Sequence, residues 1–515
     1  MPNKTISLLK LLFAIFILTV IIKPASAQII KNFDSKGRQL IRFSTTGDAV
    51  DAHDGEIAYF DGQYFLYGTS YDCGFQWGNK GAPFCGFKVY SSTDMNNWTD
   101  RGYLFNAKTE VWQSRCDGKT YGCFRPHVVY NKRTKLYVLW INVYDNVVGY
   151  RVFTSKTPVG PFTEVAEPKL AVNSTMPAAG LNNGDHDTFI DDDGTAYLAY
   201  TDWRTDGTIV IEKLSDDYLT GTGEHIKAVT KGRTEAPGMF KRKGTYYIVY
   251  SDPNCGYCSG TGTSYKTAKS PLGPWSEGIK ISDNSCGGQP SFVSTIKINS
   301  ETVYLYGSDL WNNAAKNEAL ANYYWAPLSF TDDGAIKPLN CLETYAYPRP
   351  VNGKGKLIVR GSRSGSESYS LTCDIAGVKQ RAQRFKAYWA GTLTRLTVIA
   401  FKNNNPDADL NLSVYKADKD GHPSGDALFT KALKDGDIGW SAKRIVVNPN
   451  IKVARNSKLV IVLSSAATTG CYGVALGDMV NLPGANPAIS TDGGKSFTDD
   501  SHTLKFEAFV KAGSR

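Results

Sequence analysis

Three acids, one guanidinium and one amide stand at related points of five similar segments. The segments read HDGEIAYFDGQYFLYG, RPHVVYNKRTKLYVLW, DHDTFIDDDGTAYLAY, EAPGMFKRKGTYYIVY and QPSFVSTIKINSETVYLYG. Counted back from the aromatic near the end of each, Arg125, Asp185 and Glu235 lie 15 residues before Trp140, Tyr200 and Tyr250. Asp54 lies 13 before Tyr67, and Gln289 lies 17 before Tyr306. Offsets that differ by two keep a side chain on one face of a hairpin. The five residues are therefore expected at one place in five repeats. Carboxyls crowded into a partly buried funnel resist ionising together, which is costly for structure alone and suits acid–base work. Glu235 makes the point most sharply, because RTEAPGMF sets an acid just before a Pro-Gly break, with only Ala236 between, at the head of a buried strand. The plainer readings are a structural Glu235–Arg125 ion pair and strand-entry roles for Asp185 and Asp187. DDDG at 191–194 reads as a tight turn, since the ligand spacing of an EF-hand loop is absent.

The elements that must hold these residues follow from the same segments. Each is a strand, a turn and a second strand, and each is followed by a third strand and a turn, as in VYSSTDMNNWTDRG and SYKTAKSPLGPWSEG. Short strands, Gly and Asp turns and a period of roughly 50–70 residues predict an all-β chain, with a five-bladed β-propeller over residues 28–350. If the first strand of each hairpin is innermost, Asp54, Arg125, Asp185, Glu235 and Gln289 converge at one mouth of the central channel. The loops after the second strands then form the rim. Tyr71, Trp77, Trp203, Tyr257 and Trp311 in those loops are candidate platforms for the apolar faces of sugars, with ordinary rim packing as the alternative. His53 and His186, beside two of the acids, are further candidate sugar contacts.

The first residues predict export. Lys4 and Lys10 precede an apolar stretch from Leu11 to Ile22, and Ala25-Ser26-Ala27 forms a small-residue cleavage pattern, so residues 1–27 read as a signal peptide. The apolar run is shorter than the ~20 residues a membrane span needs, and no span is expected after its removal. A secreted or periplasmic location follows. Ten cysteines suit an oxidising compartment, and disulfides are expected for Cys73 with Cys85, Cys116 with Cys123 and Cys255 with Cys258. Zinc at CGYC is the alternative for the last pair, but no second pair of ligands lies nearby. The formal charge of +9 includes Lys4, Lys10 and Lys23 of the leader and is mild for this length. It gives no reason to invoke nucleic acid.

After the Gly-, Ser- and base-rich stretch at 351–368, the pattern changes to LTRLTVIAF, LNLSVYKA, KRIVVNP, KLVIVLSS and TLKFEAFVKA. Alternating apolar strands predict a second module over 369–515, a β-sandwich of jelly-roll type with Cys373 and Cys471 as a candidate bridge. Trp389 and Trp440 are its candidate carbohydrate contacts. The alternative is a module that only braces the first.

Residues 40–340 resemble family 43 of the glycoside hydrolases, five-bladed propellers that cleave arabinose-, xylose- or galactose-containing polysaccharides. The family pattern has an Asp base in the first blade, an Asp that tunes the acid in the third and a Glu acid in the fourth. HDGEI supplies Asp54, DHDTFIDDDG supplies Asp185 and TEAPGMF supplies Glu235. Gly55 stands where the family often has Pro, and Asp187 is the second choice for the tuner. The resemblance implies hydrolysis with inversion, Glu235 as general acid and Asp54 as general base, their carboxyls roughly 6.5–9.5 Å apart. It implies no cofactor in the proton transfers and leaves a structural calcium in the channel open.

CGGQPSFV is similar to the exo-β-1,3-galactanase branch, in which a Gln at the place of Gln289 lies near the reacting water and the Asp base is missing. Two departures stand against that branch: Asp54 is present, and Phe124-Arg125-Pro126 replaces a Glu-Arg-Pro motif. The expectation is an exo-acting furanosidase that removes terminal α-L-arabinofuranose or β-D-galactofuranose from an oligosaccharide or polysaccharide such as arabinogalactan. Arg125 and Gln289 would then contact sugar or water. The galactanase is the alternative, and a glycan-binding protein without turnover is the reading from another class.

Overall fold

Tight turns of defined hand punctuate the chain and explain its hairpins. Phe60 pairs with Gln63, Arg242 with Thr245 and Ile298 with Glu301. The two residues between each pair, Asp61-Gly62, Lys243-Gly244 and Asn299-Ser300, all have positive φ. That is the type I′ geometry whose twist matches the flanking strands. The computed structural model describes residues 28–76, 83–116, 123–165, 167–173, 175–177, 181–252, 260–311, 317–347, 370–478 and 486–512.

Five antiparallel sheets follow in chain order, each a meander whose strands pair in sequence order, four of them four-stranded and the last three-stranded. Their first strands are His53–Phe60, Cys123–Asn131, Asn183–Ile190, Glu235–Arg242 and Gln289–Ile298. Each first strand packs against the first strands of the sheets before and after it, and the fifth returns to the first, so the contacts form a closed cycle. Gln28–Ile30 pairs with Tyr345–Tyr347, which ties the start of this region to its end. The apolar residues lie mainly between neighbouring sheets. One core joins Tyr67, Val89, Leu139 and Phe153, and another joins Trp140, Val152, Leu198 and Val210.

Residues 370–512 form two further antiparallel sheets, of seven and six strands. Leu396, Val398 and Val474 from one and Leu412, Val414 and Ile461 from the other share a single core. Disulfides join Cys73 to Cys85, Cys116 to Cys123 and Cys373 to Cys471, as expected, and also Cys286 to Cys341. The last pair, 55 residues apart, was not among those expected. Cys255 and Cys258 lie outside the described residues. Among the described residues no helix is long and apolar enough to cross a membrane.

Trp440 is not the exposed sugar contact expected. It is 5% exposed and belongs to the core that includes Tyr71, Phe75 and Trp311. Trp389 is 66% exposed, beside the half-exposed Tyr388.

Candidate active site

Bulges set the positions of the five polar residues. Every first strand carries a register shift close to its start: between His53 and Glu56, Phe124 and His127, Asn183 and His186, Glu235 and Gly238, and Pro290 and Phe292. A bulge adds one residue to one strand and re-aims the side chains around it. Asp54 and Arg125 fall at the same point of their bulges, two residues before the restored pair, with φ of 55° and 56°. The corresponding residue of the fourth sheet is Ala236, at φ 51°, so Glu235 lies one residue earlier. Asp185 lies one residue later than that point in the third sheet. The five residues do not share one register position, as the equal offsets predicted. They do reach one another.

Arg125 is the hub. Its Nη2 donates to Asp185 Oδ2 at 2.8 Å, and its Nη1 donates to the carbonyl of Pro290 at 2.9 Å. Its backbone amide donates to Asp54 Oδ1 at 3.2 Å. Burial opposes its charge, but Asp185, Asp54, Glu235 and Asp309 outweigh that and raise its pKa, so it stays a cation.

Asp54 is 5% exposed. Oδ1 also accepts from the Thr69 hydroxyl at 2.8 Å, and Oδ2 accepts from Tyr71 Oη at 3.0 Å. Its own amide donates to Asp309 Oδ2 at 3.0 Å. Burial pushes the Asp54 carboxyl up to about 6, with Arg125 opposing and Asp309 adding to the rise. Glu235 is half-buried, and its Oε1 accepts from Gln289 Nε2 at 2.6 Å. Burial first, and then the charge of Asp185, push its carboxyl up to about 8. The site thus holds one carboxyl that ionises below neutrality and one that keeps its proton through neutrality, both facing Arg125. That is the division of labour a general base and a general acid require.

The sequence model of glycosyl hydrolases family 43 matches residues 48–327. The chain belongs to this family. The family 43 chain is 27% identical over 299 residues to a β-D-galactofuranosidase of Aspergillus niger, covering 56% of the chain and 82% of the relative. An arabinoxylan arabinofuranohydrolase of Bacillus subtilis is 29% identical over 213 residues, covering 36% of the chain and 40% of that relative. The solved exo-β-1,3-galactanase of Clostridium thermocellum has a TM-score of 0.51 at 20% identity, covering 95% of the chain and 98% of the galactanase, a likeness of fold.

Several expected sugar contacts of this family 43 hydrolase are core groups. His53 is fully buried, stacked on Tyr323 with ring centroids 5.0 Å apart and near Asp51 and Asp309. His186 is buried between Tyr150 and His127, and burial drives its pKa well below the usual value, so it is neutral. Tyr71 and Trp311 are 3% and 4% exposed and pack around His53. They lie at the ends of second strands as expected, but they turn inward and form the wall beneath Asp54. Trp203 stays half-buried at the rim. Its indole lies so close to Gly184 that a Cβ there would come within 2.3 Å of Nε1, which places the ring over the entry of the strand that carries Asp185. Trp77 and Tyr257 lie outside the described residues.

Asp187 also points away from the acids. Its oxygens accept from Met239 N at 2.6 Å and lie 3.1 Å from His127 Nδ1, and Glu56 accepts from Val128 N at the corresponding place. These carboxylates tie together the first strands of the first four sheets. Among the described residues no cluster of three or more His, Cys, Asp or Glu side chains stands ready to hold a metal ion. Two site residues escaped the sequence reading. Asp309 sits directly across from Gln289 in the ladder, and Tyr144 is buried in the field of Asp185, Glu235, Arg125 and Asp54. Both lie near the ends of second strands, and the pairing of strand end with strand start was the signal available.

Proposed function

We propose that the protein is an exo-acting, inverting hydrolase that removes terminal α-L-arabinofuranose or β-D-galactofuranose from polysaccharides or oligosaccharides of the arabinogalactan type. The observation that carries this is the contrast between buried Asp54 and half-buried Glu235, whose carboxyls are pushed up to about 6 and about 8 in the field of Arg125. Glu235, neutral at pH 7, protonates the glycosidic oxygen while Asp54, ionised, takes a proton from the attacking water. Asp185 holds Arg125 in place and keeps the proton on Glu235. No cofactor enters these steps.

The architecture that fits the closed cycle of five sheets is a five-bladed β-propeller, followed by a β-sandwich at 370–512. The leader pattern and the disulfides support export from the cytoplasm.

A second reading is an exo-β-1,3-galactanase. It is favoured by the crowding of Asp54, whose two oxygens already accept three hydrogen bonds, and by the contact of Gln289 with the acid. Incubating residues 28–515 with arabinogalactan, with a galactofuranoside and with debranched β-1,3-galactan, followed by chromatography of the released sugar, separates the two. Arabinose, or galactose from the furanoside alone, is the expected result. Galactose from the debranched backbone transfers the protein to the second reading, and binding without any release would overturn both.

A further inference from the structure

We infer that the C-terminal region positions the Asp54 carboxylate, acting through Asp72 and Tyr71. The inference rests on the reading of Asp54 as the general base. Asp72 directly precedes Cys73, which is disulfide-bonded to Cys85. Segment 439–443 of the C-terminal region surrounds it. Ser441 donates both its amide, at 2.9 Å, and its hydroxyl, at 2.6 Å, to Asp72 Oδ1. Lys443 Nζ stands 2.8 Å from Oδ2, and the Trp440 amide donates to the Asp72 carbonyl at 3.1 Å.

The fit is close enough to need glycine on both sides. A Cβ at Gly439 would come within 2.1 Å of Asp72 Oδ1, and one at Gly74 would come within 2.7 Å of the Trp440 ring. A single short segment therefore fixes both the backbone and the carboxylate of Asp72. Such a dense set of donors on one half-buried acid is more than bracing requires, because Ala49–Ala442 and Arg444–Asp48 contacts already join the regions.

The next residue carries the constraint inward. The Tyr71 amide donates to Asp51 Oδ1 at 2.9 Å, its ring packs against Phe75 and Trp311, and its hydroxyl donates to Asp54 Oδ2. With both ends of the residue held, the phenol has one place to go. A cavity of about 750 Å³ beside the clamp is lined by Asp72, Trp440 and Lys443 and not by Asp54, so the link runs through these contacts and not through open space. The other groups that face Asp54 are Arg125 from the second sheet, Asp309 from the fifth, and Thr69 and His53 from its own sheet. None of their bonds around Asp54 involves Asp72. The Tyr71 bond favours the ionised base, so loosening it raises the pH at which Asp54 becomes active.

The test is kcat/KM against pH for the full chain on an aryl glycoside of the sugar that it releases, in Y71F, D72A, S441A and the double variant Y71F/D72A. The expected result is an acid limb moved upward by about half a unit or more in Y71F and D72A, less in S441A, and no further in the double variant than in Y71F alone. A limb that moves in Y71F but stays at the wild-type position in D72A and S441A overturns the inference and leaves Asp54 as base. Full activity of D54N would remove the reading on which it rests. Thermal melting identifies a D72A protein that fails to fold, and S441A then decides the matter.

Discussion

Gln289 donates its side-chain amide to Oε1 of Glu235 across 2.6 Å, which favours the carboxyl proton on the other oxygen. The carbonyl oxygen of a neutral carboxyl is the better acceptor, so with Oε1 in that role the proton belongs on Oε2, where it can reach a glycosidic oxygen. Replacing Gln289 with Ala removes that choice. We expect kcat to fall roughly 10- to 100-fold with the fold intact, and the alkaline limb of the rate profile to move up, since the bond lowers the pKa of Glu235. Steady-state kinetics across pH check both.

Glu235→Gln is expected to lower kcat on the polysaccharide by about 10²–10⁴ while leaving affinity largely unchanged. An aryl glycoside with a good leaving group needs little protonation, so its loss should be far smaller. Calorimetric titration beside the two kinetic series tests this. Equal losses in binding and in both substrates would reassign the acid.

The pH profile of kcat/KM should be a bell between about 6, where Asp54 ionises, and about 8, where Glu235 loses its proton. Stability has its own pH dependence with a fixed sign. Both carboxyls are raised above their ordinary values of 3.8 and 4.5, so the folded state prefers their neutral forms. Their contribution is complete below those ordinary values and is lost as pH rises through about 6 and then about 8. Urea midpoints should therefore fall from pH 5 to pH 8.5, and Glu235→Gln should recover ~1–3 kcal/mol at the upper end. A flat stability curve in the wild type would contradict the burial of these acids.

Arg125 stands in the field of four acid side chains. Arg125→Ala should destabilise the fold by about 3–5 kcal/mol, because it leaves buried charge unmatched. Arg125→Lys should recover only part of that, since a single ammonium does not span both Asp185 and the Pro290 carbonyl as the guanidinium fork does. Thermal melts of the two variants give the comparison.

The hairpins were legible in the sequence because their turns are local. Asp61-Gly62 and Lys243-Gly244 announce positive φ at two successive residues, and the alternation on either side follows. The bulges were not legible. One extra residue in one strand leaves the alternation intact above and below it, so counting from Tyr67 and Tyr200 equated Asp54 with Asp185 when the ladders set them one residue apart. The cluster still assembled, because side chains as long as Arg125 and Glu235 tolerate a shift of one position. Tyr71 and Trp311 were read as rim residues from their place in the chain, and only tertiary packing turns them inward. The role of Trp440 was hidden for the same reason, its partners Asp72 and Gly74 being more than three hundred residues away.

The pairing of Gln28–Ile30 with Tyr345–Tyr347, backed by the Asn32 side chain bridging both backbone groups of Trp325, has a bearing on biogenesis. Ile30 belongs to a core completed by Leu305 and Trp325, so this strand, once synthesised, waits for partners nearly three hundred residues behind it. At about 5–20 residues per second the wait lasts on the order of tens of seconds. Throughout it an apolar edge stands open to aggregation or chaperone capture. If the chain is exported unfolded, that interval is harmless in the cytoplasm and becomes the vulnerable stage only after translocation.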